Sequence, residues 1–154
     1  MNLSEPTATP LPEALQQIVK MFAIAPKQLR LQLLLEYSKK VPPLPEELKE
    51  SGRLERVHEC QTPFFLATSF EADKVMLHFD APQEAPTTRG FAGILYEGLN
   101  GASAGAILAL PNDFYEGLKL AELISPLRLR GMEGILFRLK RQVRQHQAEA
   151  QSEG

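Results

Sequence analysis

Cys60, the only cysteine in the chain, is the one strong nucleophile the sequence offers. A single thiol excludes an internal disulfide, a dithiol redox pair and a cysteine-built zinc site. Its neighbours, Arg56-Val57-His58-Glu59-Cys60-Gln61-Thr62-Pro63, are polar and carry no hydrophobic period. A lone cysteine is usually a small buried hydrophobe. One on a polar segment just ahead of a strand is expected instead on a loop or strand end, where partly exposed functional thiols occur. His58 and Arg56 would favour the thiolate, and Glu59 would oppose it. No second cysteine is present to resolve a persulfide or sulfenate on Cys60, so another protein would have to discharge it. That arrangement suits a carrier better than a self-contained catalyst.

Other constellations are weaker. His58, Glu59 and His78 follow no ligand spacing, and no metal is expected. A Cys–His hydrolase needs a base oriented by a third group, and none is visible in the spacing. The cations Arg138, Lys140, Arg141 and Arg144 read as the solvated face of the last helix, with a basic binding patch as the alternative. Arg89 and Arg128 fall where helices are expected to start, an unusual place for a cation because the helix dipole there favours anions. Such arginines often face a partner or pair with a carboxylate.

The elements that must position these groups follow from proline, glycine and hydrophobic period. In 154 residues, 44% are hydrophobic and 23% charged, and 17 Lys+Arg against 19 Asp+Glu give a formal net charge of -2. These are the values of one soluble domain without the basic excess of a nucleic-acid binder. No apolar run approaches the roughly 18 residues of a membrane span. Met1 to Pro10 show no cationic segment followed by an apolar core, so a cytoplasmic location is expected. Residues 1–10 read as a flexible tail.

Leu15, Ile18, Val19 and Phe22 predict a helix from Pro12, and Pro26 opens a second to about Lys40 with Leu29, Leu33, Leu34 and Tyr37 inward, broadened by Leu31 and Leu35. A brief helical turn follows over Glu46–Glu50. The period then changes to two over Phe64–Phe70 and Lys74–Asp80, an antiparallel hairpin with Val75, Leu77 and Phe79 on its buried face. A helix from about Arg89 to Leu99, capped by Thr87 or Thr88, is followed by a short one over Ala102–Leu108 capped near Ser103. A turn over Phe114–Leu118 leads to a long helix from Ser125-Pro126 to about Gln147. The fold class is α+β: N-terminal helices, a small antiparallel sheet and C-terminal helices packed on it, in one domain over 11–147 with 148–154 frayed.

Three patterns in this frame resemble the SufE family. Arg56-Val57-His58-Glu59-Cys60-Gln61-Thr62 is similar to the family's Val-x-Gly-Cys-x-Ser segment ahead of the first strand. Thr88-Arg89-Gly90-Phe91, continued by Glu97-Gly98-Leu99-Asn100-Gly101-Ala102, resembles the start of its central helix. Ser125-Pro126-Leu127-Arg128-Leu129-Arg130-Gly131-Met132 matches Ser/Thr-Pro-x-Arg-x-x-Gly-hydrophobic before its last helix. Order and spacing agree over roughly Leu11 to Val143. Glu59 stands where the family usually has Gly, and Pro63 and Phe64 also depart from its pattern.

The resemblance implies a sulfur acceptor: Cys60 takes persulfide sulfur from a SufS-like group II cysteine desulfurase, stimulates it, and passes the sulfur to a SufBCD-like iron–sulfur scaffold. It implies no cofactor on this chain, since pyridoxal phosphate belongs to the desulfurase, and no nucleic-acid or membrane partner. It gives Arg128 a role in docking the partner or positioning the loop, with Arg89 and His58 as further candidates. Two other readings stay open: a stand-alone thiol enzyme using Cys60 with His58, and a non-transferring regulator in which Glu59 slows Cys60.

Overall fold

The computed structural model describes residues 11–153; the expected tail over 1–10 lies outside them. Proline sets most of the helix starts. Pro12, Pro26 and Pro45 immediately precede α1 (Glu13–Ile24), α2 (Lys27–Ser38) and α3 (Glu46–Glu50), and Pro86 and Pro126 are the first residues of α4 (Pro86–Leu99) and α6 (Pro126–Glu153). A missing N–H is harmless there and the fixed φ is already helical. Only α5 (Ala104–Leu108) starts differently, on the Ser103 hydroxyl, which accepts from the Ala106 N–H at 3.1 Å. Two 3₁₀ turns, Phe114–Leu118 and Leu120–Glu122, lead into α6. No described helix is long and apolar enough to cross a membrane.

The sheet has three antiparallel strands in the order β1 (Glu55–Arg56), β2 (Phe65–Glu71), β3 (Lys74–Asp80). As the alternation predicts, Val75, Leu77 and Phe79 are buried while Lys74 and Asp80 face water. The outer edge of β3 is covered by the chain leaving α4: Val75 N–H donates to Ala102 O, Gly101 N–H to Val75 O, and Leu77 N–H to the Asn100 side chain. That leaves no long unpaired edge on this side. Helix α6 packs across β2, and α4 packs against β3, α1 and α2. One core joins the layers, with Leu15, Phe22, Phe64, Leu66, Phe91 and Ile135 among its fully buried members.

Four expectations are corrected. Helix α4 begins at Pro86 with Ala85 as its cap, because the proline at the first helical position starts the helix ahead of both threonines. Thr87 and Thr88 are therefore buried in its first turn. On α2 the buried line is Arg30, Leu34, Tyr37 and Ser38, whereas Leu29, Leu31 and Leu35 are exposed. Arg30 is accepted inside because its guanidinium donates to Glu122, Lys119 O and Ala25 O. Lys140 is buried, not solvated, with Nζ bonded to Leu110 O and the Asn112 side chain. Finally α6 continues to Glu153, since Ala148-Glu149-Ala150-Gln151 are good helix formers with no Pro or Gly among them.

Arg89 is a structural tie. Its guanidinium donates to the carbonyls of Ser38 (2.9 Å), Ala81 and Val41, joining the end of α2 to the end of β3. Charged donors to backbone carbonyls contribute about 2 kcal/mol. Arg89→Met is expected to lower the unfolding free energy by roughly that amount, read as a lower urea midpoint. An unchanged midpoint would contradict the tie.

Candidate functional site

The site is the loop between β1 and β2. Its base is closed where the Val57 N–H donates to the Phe64 carbonyl at 2.8 Å, extending the strand ladder by one pair. Val57 and Phe64 are fully buried, so both feet of the loop are fixed in the core. Between them the Cys60 N–H donates to Val57 O at 3.1 Å and curls the tip inward. His58, Gln61 and Pro63 face solvent, while Cys60 is only 7% exposed.

The tip rests on α6. Cys60 Sγ lies 3.8 Å from the Gly131 carbonyl oxygen, the geometry of a weak S–H donor. A Cβ added to Gly131 would come within 3.1 Å of that sulfur, and one on Gly134 within 2.7–2.8 Å of the Glu59 side chain. The two glycines, one turn apart, form a bare strip on which the Glu59-Cys60 pair is seated.

Electrostatics keep the resting thiol neutral. Burial, and next the Glu59 carboxylate, push the Cys60 pKa up to about 11; Arg138 and Arg56 pull it down less. A carbonyl oxygen facing Sγ suits a thiol and would repel a thiolate. Glu59 in turn is held below the usual carboxylate range, chiefly by hydrogen bonds from Arg138. Arg138 Nε and Nη2 reach its two oxygens at 3.0 and 3.3 Å, and Nη1 reaches Glu55 at 2.8 Å. Glu55 also binds Arg141 and accepts from Gln142 Nε2 at 3.0 Å.

The candidates from the sequence therefore separate. Cys60 is buried, where a partly exposed thiol was expected, because the glycine strip admits it. Arg128 shares a cleft of about 60 Å³ with it, lined also by Gln61, Glu84, Thr88 and Leu127. The Arg128 side chain donates to Thr87 Oγ1 at 2.6 Å and, with Leu127 at 42% exposure, stands at the mouth. His58 is exposed, and the sulfur's hydrogen bond goes to Gly131 rather than to its ring. Arg89 is engaged away from the cleft in its three carbonyl contacts. Arg138 and Arg141 do not form a free basic face; they are paired with Glu55 and Glu59. Sequence patterns do not single out Gly131, Gly134 and Arg138 as site residues; the signal they offer is Glu55 and Glu59, at and inside the start of the cysteine loop, opposite a cation-rich helix. A roomier cleft, about 680 Å³ between the first 3₁₀ turn and α6, does not include Cys60 among its lining.

Fold and site together define an α+β protein built around one buried thiol carried on a loop. The SufE family, described as an Fe-S metabolism associated domain, matches residues 16–143. A SufE-like protein of Mycobacterium tuberculosis is 52% identical over 136 residues, covering 88% of this chain and 94% of that protein. A SufE-like protein of Synechocystis is 34% identical, covering 87% and 82%. A solution structure of a hypothetical protein from Thermus thermophilus superposes with a TM-score of 0.79 at 51% identity, covering 88% of this chain and 97% of that one. The chain belongs to the SufE family, and with it to sulfur transfer in iron–sulfur metabolism.

The thiol's protonation is directly measurable. Because the folded state holds the neutral form, alkylation by iodoacetamide should rise with pH toward a midpoint near 11. The same cysteine in urea should titrate near the ordinary value of about 8.5. At pH 7 the folded protein should react at least about a hundredfold more slowly than the denatured one. A folded-state midpoint at or below 8.5 would contradict the neutral resting thiol.

Proposed function

We propose that this protein accepts sulfur on Cys60 from a group II cysteine desulfurase, stimulates that enzyme, and delivers the sulfur to an iron–sulfur scaffold. The observation that carries the reading is the unaccompanied thiol at the tip of a loop whose feet are fixed and whose tip lies on bare helix. Such a thiol is protected at rest, and movement of the short segment between Val57 and Phe64 is enough to present it.

The transfer step balances without an oxidant or reductant. The Cys60 thiolate attacks the outer sulfur of the desulfurase persulfide, forming a new S–S bond as the enzyme's own S–S bond breaks. The desulfurase cysteine leaves as thiolate, and Cys60 carries the persulfide. In the resting seat the thiol is neutral and poorly nucleophilic. Leaving it relieves desolvation, the largest cause of the raised pKa, so the sulfur becomes reactive only when presented. This chain needs no cofactor for the step; pyridoxal phosphate resides on the desulfurase. We place the protein in the cytoplasm, with the desulfurase and scaffold as its partners.

Arg128 supplies an exposed cation at the mouth, beside the apolar Leu127, and arginine is among the side chains that most often anchor protein interfaces. Arg128 is therefore the docking residue of the reading. The stand-alone enzyme is disfavoured by His58, which faces solvent and gives Cys60 no base.

With the cognate desulfurase and cysteine, the intact protein should stimulate sulfide release and become one sulfur atom heavier at Cys60 by mass spectrometry. Cys60→Ser should return the rate to that of the desulfurase alone. Arg128→Ala should raise the concentration for half-maximal stimulation roughly tenfold with the pH profile of Cys60 alkylation unchanged. Stimulation that survives Cys60→Ser would make the protein a regulator, and no adduct with no stimulation would overturn the carrier reading.

A further inference from the structure

We propose that Glu59 is a positioning residue that, through Arg138, holds the Cys60 loop on its helical seat and sets how often the thiol is presented. The inference rests on the sulfur-acceptor reading for its consequence, but its geometry stands apart from it. Two independent features of α6 converge on the same side chain. Gly134 leaves the space that Glu59 occupies, since any Cβ there would collide with Glu59 Cβ and Cδ. One turn further on, Arg138 presents Nε and Nη2 to the two Glu59 oxygens. The remaining directional contact of the tip with the helix is the weak S–H bond to Gly131.

The arginine is fixed before Glu59 arrives. Its side chain is 15% exposed and its Nη1 is bonded to Glu55, which is itself bonded by Arg141 and Gln142. Gln142 also donates to Leu66 O and accepts from Thr68 Oγ1, so the cluster is anchored on β2. A preorganised fork loses little side-chain entropy when the second carboxylate docks. The sharing also makes the contact reversible. When Glu59 leaves, Arg138 keeps Glu55, so no buried charge is orphaned. Glu59, at 34% exposure, is readily rehydrated. The pair is thus strong enough to favour the closed loop and weak enough for a partner to open.

The test is the rate of iodoacetamide alkylation of Cys60 in the folded protein, compared among Glu59→Gln, Arg138→Met and Gly134→Ala. Folding is checked by urea unfolding. All three should react about tenfold faster than the parent, the factor that corresponds to about 1.4 kcal/mol. Arg138→Met separates positioning from titration: the cation lowers the thiol pKa, so its loss by charge alone would slow alkylation, whereas loss of the hold accelerates it. Gly134→Ala changes no charge and should act by displacing Glu59. Raising salt should speed alkylation of the parent more than that of Glu59→Gln, which lacks the Glu59–Arg138 pair that salt screens. If Arg138→Met destabilises the fold, Gly134→Ala decides, because it displaces Glu59 without changing any charge near the thiol. Parent-like rates in Glu59→Gln and Gly134→Ala would overturn the proposal even if sulfur transfer proceeds normally. Faster alkylation with no sulfur accepted by any variant, the parent included, would uphold the positioning role and remove the functional reading instead.

Discussion

The rest of the molecule is arranged around the contact of the Glu59-Cys60 pair with the side-chain-free strip of α6 at Gly131 and Gly134. A thiol must be a thiolate to act as a nucleophile, and an exposed thiolate is also the form that oxidants reach. Removing two side chains from a helix lets a loop tip lie on backbone. There the sulfur meets a carbonyl oxygen and remains protonated. In the proposed transfer, reactivity is coupled to position, because lifting the loop exposes the sulfur and relieves the burial that raises its pKa.

That coupling requires a rigid floor and fixed hinges, which the fold supplies from distant parts of the chain. The long helix is held against β2 through Gln142, which reaches Leu66 O, Thr68 and Glu55. Near the far end of α6, His146 stacks on Phe70 with ring centroids 3.6 Å apart. The hinges, Val57 and Phe64, are buried and joined by a ladder hydrogen bond. Arg89 and Arg30, whose hydrogen bonds lie within the protein, tie together the layers beneath.

Local regularities were legible in the sequence, and long-range pairings were not. The alternation of Val75, Leu77 and Phe79 fixed the hairpin face because period two is a strong local signal. Prolines 12, 26 and 126 placed three helix starts because their geometry is local too. Strand β1 was not visible, since two residues cannot display a period. The inward turn of Arg138 depends on Glu55 and Glu59, 83 and 79 residues away in sequence. With those partners unseen, a cation on a helix reads as solvated. Lys140 is buried for the same reason, its partners Leu110 O and Asn112 lying 30 and 28 residues away in sequence. The motif around Gly131 marked the right segment, and its use, admitting a sulfur from the loop 71 residues earlier, only the packing reveals. Likewise Arg128 and Arg89 looked equivalent as helix-start cations. One stands at the cleft mouth, and the other bonds three backbone carbonyls.

Hydrogen–deuterium exchange across the loop, with and without the desulfurase, tests the account most directly. The amides of Val57 and Cys60 are hydrogen-bonded at rest and should exchange slowly in the free protein. On binding the partner, the Cys60 amide should lose protection while Gly131 to Leu139 on α6 keep theirs. Sulfur acceptance with the Cys60 amide still protected in the complex would contradict the claim that the thiol is delivered by lifting its loop from a fixed helix.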